Sequence, residues 1–125
     1  MREPKFIGAF RELYRDHEPA RLFPSIREAT ADIPQEHERE IVAYLRGGVC
    51  VGARGGFYED VLDASNPTGL LRHTYTDGTF IWTLDIAHYV EKYHLRLPEE
   101  FVRHMASRGW CPPTLEDVDA ERANE

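Results

Sequence analysis

The dipeptide Asp77-Gly78 constrains this chain more than any other feature. It lies between Leu70–Thr76 and Thr79–Thr83, two runs rich in threonine, aromatic and branched residues. Asp-Gly between such runs favours a two-residue type I′ turn, and therefore a β-hairpin. That turn sets the pairing: Thr76 faces Thr79, Tyr75 faces Phe80, Thr74 faces Ile81 and His73 faces Trp82. Alternation along the strands then puts Leu71, His73, Tyr75, Phe80 and Trp82 on one face. Leu70, Arg72, Thr74, Thr76, Thr79, Ile81 and Thr83 fall on the other. The aromatic face is expected to meet the core, and the threonine-rich face to stay wetter.

Helical periodicity surrounds the hairpin. Phe6, Ile7, Phe10, Leu13 and Tyr14 form one apolar stripe, predicting a helix from about Pro4 to Arg15. Ser25-Ile26-Arg27-Glu28 has the S-x-x-E pattern that starts a short helix. A further helix, from the Asp32-Ile33-Pro34-Gln35 start, is expected to bury Ile41, Val42, Tyr44 and Leu45 and to end in a left-handed cap at Gly47. Val49–Ala53 then reads as a strand, Arg54-Gly55-Gly56 as a turn, and Phe57–Leu62 as a returning strand. After the hairpin, Thr83 is placed to cap a helix reaching about Tyr93. Pro98 opens a last helix with Glu99 and Glu100 in its first turn, and Gly109 closes it. The expected class is α+β: N-terminal helices, a four-stranded antiparallel meander and two C-terminal helices.

At 125 residues, with 42% hydrophobic content, the chain suits one domain with one core. Residues 1–113 are read as that domain, and 114–125 as a flexible acidic tail. The net charge is −7, and five acids face a single arginine between Leu115 and Glu125. An acidic surface lacks the basic patch that nucleic-acid phosphates require, so nucleic acid is not an expected partner. No run reaches the roughly 18 consecutive apolar residues of a membrane span. No apolar signal region opens the chain either, so the expected compartment is the cytoplasm. Cys50 and Cys111 have no metal-ligand spacing and are expected as buried or half-buried free thiols, although one disulfide between them is possible. Almost all the basic residues are arginines, Lys5 and Lys92 being the exceptions, which fits a high-GC bacterial genome.

The metal candidate is His88-x-x-Glu91-x-x-His94, with His104 as a fourth ligand if the last two helices pack antiparallel. At 100° per residue the first three spread over an arc of about 120°, not one ridge. Neither H-E-x-x-H nor H-x-x-E-H is present. His73, opposite Trp82, reads as a core-edge histidine. No G-x-S-x-G elbow and no phosphate-binding glycine loop occurs, and the glycine pairs are explained by turns. Glu59 and Asp60, adjacent in an expected strand, would point to opposite faces, and Glu99 and Glu100 are explained by a helix start. No catalytic constellation and no cofactor site follows. The surface that remains is the hairpin face with Leu70, Arg72, Thr74, Thr79 and Ile81, joined by Trp110 as the candidate partner surface.

The segments Thr76-Asp77-Gly78-Thr79-Phe80-Ile81-Trp82, Asp85–His94 and Leu97-Pro98-Glu99-Glu100-Phe101 resemble a pattern of small bacterial proteins from high-GC genomes. Some of these are similar to immunity proteins that neutralise polymorphic toxins. The resemblance covers the last half of the domain through scaffold residues and carries no site residue with it. It implies a cytoplasmic protein-binding module, an inhibitor of a cognate toxin, whose partner is another protein such as a basic toxin domain. Two alternatives stand beside it. One is a small metal-dependent hydrolase using His88, Glu91, His94 and His104, and the other is a regulatory protein that self-associates through the hairpin face.

Overall fold

Trp82 sits in the middle of the molecule with none of its surface exposed. Its indole Nε1–H donates to the Leu45 carbonyl at 2.9 Å, and its ring packs against Tyr44 and Phe101 at 6.1 and 5.3 Å between centroids. The computed structural model that shows this describes residues 3–14, 22–65 and 68–118. Around Trp82 the fold is α+β. Four strands, β1 (Lys5–Ile7), β2 (Val49–Phe57), β3 (Leu71–Thr76) and β4 (Phe80–Thr83), form one sheet in the order β1-β4-β3-β2. Three helices, α1 (Glu38–Arg46), α2 (Asp85–Tyr93) and α3 (Glu99–Ser107), supply the other side of the core. Ile41, Leu45, Ile86, Val90, Phe101 and Met105 meet Ile7, Phe80 and Trp82 of the sheet there.

The sheet is mixed, which corrects the expected antiparallel meander: β1 runs parallel to β4, and the other two pairings are antiparallel. The helix expected from Pro4 does not form. Gly8 adopts φ +106°, which breaks any helix there, and a Cβ at Gly8 would come within 2.8 Å of Ile86 Cδ1. The chain ahead of Gly8 instead pairs with the β4 edge and buries Ile7. Beyond it, only a single 3₁₀ turn forms, at Arg11–Leu13; Arg15 lies outside the described residues. The apolar stripe was real, but its first members serve a strand.

β2 also differs from expectation. Arg54-Gly55-Gly56 is no hairpin turn; it continues the strand, and the extra residues are taken up as irregularities between Cys50 and Gly52 and between Arg54 and Phe57. The returning strand Phe57–Leu62 therefore becomes a loop after Phe57. The cysteines are free and exposed, not buried. Ser25 does cap a turn, accepting from Arg27 N at 3.2 Å, although the element is a 3₁₀ turn at Ile26–Glu28. α1 begins later than predicted, with His37 at its N-cap, and Gly47 closes it at φ −98°, outside the left-handed region.

The hairpin forms with a longer connection. Thr76 pairs with Ile81 and Tyr75 with Trp82, two residues from the expected register. A shift of two keeps every side chain on its face, so the aromatic face still meets the core. The cause is Asp77, which is fully buried. Its Oδ1 accepts the Thr79 and Phe80 amides at 2.9 and 2.7 Å, and its Oδ2 accepts the Tyr44 hydroxyl at 2.6 Å. His104 Nε2 lies 3.3 Å from the same oxygen as an ion-pair contact. The turn aspartate thus ties the hairpin to α1 and α3. The chain past α3 folds back too: Thr114 and Asp117 cap each other, residues 115–118 are helical and Val118 is buried. Residues 119–125 lie outside the described residues. No helix among the described residues is long and apolar enough to cross a membrane.

Asp77→Ala leaves a buried hydroxyl and two amides without their acceptor, so it should cost about 3 kcal/mol or more. Tyr44→Phe removes one of those bonds and should cost about 1–2 kcal/mol. Urea unfolding measures both, and an Asp77→Ala protein within about 1 kcal/mol of the parent contradicts this account.

Candidate functional site

The wetter face of the sheet is roofed on two sides, and the space between is a cleft of about 660 Å³. Its floor is the sheet itself, with Thr74 and Arg72 from β3, Thr83 from β4 and Arg54 from β2. Phe6 of β1 lies on this face because Ile7, its neighbour in the strand, points to the core. One wall is the turn that carries Glu12, Leu13 and Tyr14. The other is the end of β2 and the loop beyond it, with Phe57, Tyr58, Glu59 and Val61. At the base stands Asp85, in the first turn of α2.

Each wall is held by a carboxylate, half-buried in one and buried in the other. Glu12 accepts the Ser25 hydroxyl and, at 2.8 Å, the Ile26 amide. Burial works to raise its pKa, but these bonds outweigh it and leave the pKa below the ordinary glutamate value. Tyr14 is braced by edge-on contacts with Phe6 and Phe23. The opposite wall hangs on Asp60. Its Oδ1 accepts the Leu62 and Asp63 amides, and its Oδ2 accepts from His88 Nε2 at 2.8 Å and from the Tyr93 hydroxyl at 2.7 Å. Burial alone would raise the pKa of Asp60; the bonds from His88, Tyr93 and Leu62 bring it below the usual range. Burial and the nearby Asp60 charge push the Tyr93 phenol the other way, to about 12. Tyr89 adds a pair of bonds, donating to the Glu59 carbonyl and accepting the Val61 amide. One helix face therefore fixes the wall and presents Asp85 to the cleft.

Asp85 is the unusual group. Only 3% of its surface is exposed, and among the described residues it makes no ion pair. Thr83 Oγ1 donates to its Oδ1 at 2.6 Å. Burial raises its pKa from 3.8 to about 6, with Thr83 and the His88 charge opposing the rise. Its charge in turn reaches two phenols. Tyr14 is lifted to about 12, first by burial and then by Asp85, and Tyr58 is raised for the same two reasons. Hydrogen bonding to Thr83 pulls both phenols back down. A carboxylate, two phenols and two threonine hydroxyls thus meet beneath aromatic walls. Perturbed acids in a cleft of this size mark the default binding or reaction site of a small domain.

Of the residues expected at a partner surface, Arg72 and Thr74 line this cleft. Leu70 and Ile81 are half-buried beside it, Ile81 paired with Phe6, and Thr79 is exposed at the hairpin turn. Trp110 is elsewhere, stacked on His37 at 4.8 Å. The four candidate metal ligands are not brought together. His88 is taken by Asp60, His94 by Glu38 at 2.8 Å, Glu91 by Arg46 at 3.4 Å and His104 by Asp77. No group of three metal-ligating side chains occurs among the described residues. Glu59 and Asp60 lie in a loop, one lining the cleft and the other buried behind it.

The cleft was missed because its walls come from misread segments: Phe6, Glu12 and Tyr14 from an expected helix, and Arg54 from an expected turn. Asp85 carried a signal, an acid two residues beyond a strand-end threonine, but a helix start accounts for an acid equally well.

Ionising Asp85 in the fold costs stability. The penalty is absent below its unfolded pKa of 3.8 and complete above about 6. Asp85→Asn keeps an acceptor for Thr83 and removes the charge. The variant should exceed the parent by up to about 3 kcal/mol at pH 8, and the gap should close towards pH 4. Urea unfolding across that range reads it, and a gap independent of pH contradicts the assignment.

Comparison with protein-family models, with curated proteins and with solved structures finds no match to this chain.

Proposed function

We propose that this chain is a cytoplasmic, non-catalytic binding protein and that the sheet-face cleft is its recognition site. The occupant is a small organic molecule that presents a flat face to the aromatic walls and an N–H or cationic nitrogen to Asp85. The observation that carries this reading is the Asp85 carboxylate, buried at the base of a cleft with no ion-pair partner among the described residues. A side chain that costs the fold stability at neutral pH needs a compensating use, and a ligand nitrogen supplies one. The volume of about 660 Å³ suits such a molecule. Binding is favoured over catalysis because no Ser, Cys, His or Lys is among the described residues lining the cleft. Exposed free thiols at Cys50 and Cys111 fit a reducing compartment.

Benzamidine and benzylamine are suitable probes. Both should bind saturably and raise the melting temperature, and Asp85→Asn should weaken them about tenfold or more, as expected for a lost charge-assisted hydrogen bond. Equal affinity for parent and variant removes the reading.

A second reading, an immunity-type protein that neutralises a cognate toxin, is favoured by the apolar rim. Val51, Phe57 and Leu71 of β2 and β3 are 47%, 62% and 46% exposed, and Phe57 lines the cleft. Such a rim suits a protein partner that sends one side chain into the cleft. The net charge of −7 would speed capture of a basic toxin domain. Co-expression with the product of the adjacent gene should then give a nanomolar complex whose association slows with salt; two proteins that elute separately dispose of this reading.

A further inference from the structure

Arg54 and Arg72 face each other directly across the β2–β3 pair, and both line the cleft. Like charges directly opposite on adjacent strands destabilise a sheet. Among the described residues neither arginine makes an ion pair. Of the three acids that line the cleft, Glu12 is engaged with Ser25 and Ile26 and Asp85 with Thr83, while Glu59 is exposed at its edge and forms no ion pair with either arginine among the described residues. The local backbone favours this pairing of two long side chains. The strand irregularity between Arg54 and Phe57 contains Gly56 at φ +88°, a conformation that side chains rarely adopt. A Cβ there would stand 3.9 Å from Arg72 Cδ, an ordinary contact, so it is the positive φ that calls for glycine.

Resting on the cleft reading above, we infer that Arg54 and Arg72 together hold an oxyanion, a phosphate or carboxylate, carried by the molecule that fills the cleft. Guanidinium groups present planar N–H forks that match such groups two bonds at a time. An anion between them would convert a repulsive pair into two charge-assisted contacts. The rest of the chain is strongly acidic, so this pair is where an anion would find attraction instead of repulsion. Together with Asp85, the site selects a dipolar ligand: nitrogen donor inward, flat middle between the aromatic walls, oxyanion towards the β2–β3 side. The expected ligand class is an aromatic or heterocyclic molecule bearing an acidic group.

The test uses inorganic phosphate, phenyl phosphate and benzoate, followed through the arginine Nε–H resonances of the full chain. Phenyl phosphate or benzoate should shift the Arg54 and Arg72 signals saturably and bind more tightly than inorganic phosphate, because the walls take the ring. Arg54→Ala and Arg72→Ala should each weaken binding about tenfold. A preference for phenyl phosphate assigns the oxyanion as phosphate, and a preference for benzoate assigns it as carboxylate. The inference is overturned if none of the three moves either arginine, or if both alanine variants bind as the parent does. Benzamidine separates the two failures: if it binds while the anions do not, only the oxyanion site falls, and if it also fails, the cleft reading falls with it.

Discussion

Asp60 is the interaction on which the rest of the site depends. A buried carboxylate surrounded by four donors, two from its own turn and two from α2, behaves as a rivet between a loop and a helix. Removing it would leave His88, Tyr93 and two amides without a partner in a poorly solvated place. The loop it holds pairs with β3 only through the Tyr58 amide, so the wall of the cleft rests on that carboxylate together with the bonds from Tyr89. The same helix presents Asp85, whose balance is the reverse: burial outweighs its bonds from the Thr83 hydroxyl and the Asp85 and Ile86 amides. Two aspartates thus take opposite displacements of pKa from their surroundings alone. In one the bonds to the carboxylate outweigh burial, and in the other burial outweighs the bonds.

Much of the architecture was legible in the residues, and the failures share a cause. The hairpin faces, α2, α3 and the Ser25 cap follow from local chemistry, namely turn dipeptides, proline, capping side chains and helical spacing. They survive in the fold because nothing distant contradicts them. The N-terminal segment fails because its apolar spacing is compatible with a helix, while β4 offers an open edge that local pattern does not reveal. Gly8 was the clue, a residue unsuited to a helix interior. Arg54-Gly55-Gly56 fails similarly, because a glycine pair can bend a chain back or be absorbed as an irregularity, and only the partner strand decides.

The site was less legible than the fold. Arg72 and Thr74 were placed on the right face, but an open sheet face and a roofed cleft differ only by what covers them. The covering segments were those misassigned. The histidines show the converse. His88, Glu91 and His94 looked like a cluster along one helix, yet each points to a different acid or base, His88 to Asp60 in the loop and the other two to opposite ends of α1. Spacing in one helix indicates a shared direction, and the tertiary neighbours decide the partners.

β1 is three residues long and commits only Ile7 to the core. The turn that follows it has no buried residue. Burial of one isoleucine is worth roughly 2–3 kcal/mol, a fraction of what a domain of this size needs to unfold entirely. Partial packing of Phe10 and Leu13 and the Glu12 bonds add to this, yet the segment is the part of the fold expected to open first while the helices and the β2–β3–β4 ladder stay assembled. The cleft thus has one jaw riveted to α2 and one held by fewer contacts, and an occupant wider than the resting opening would be expected to displace the second.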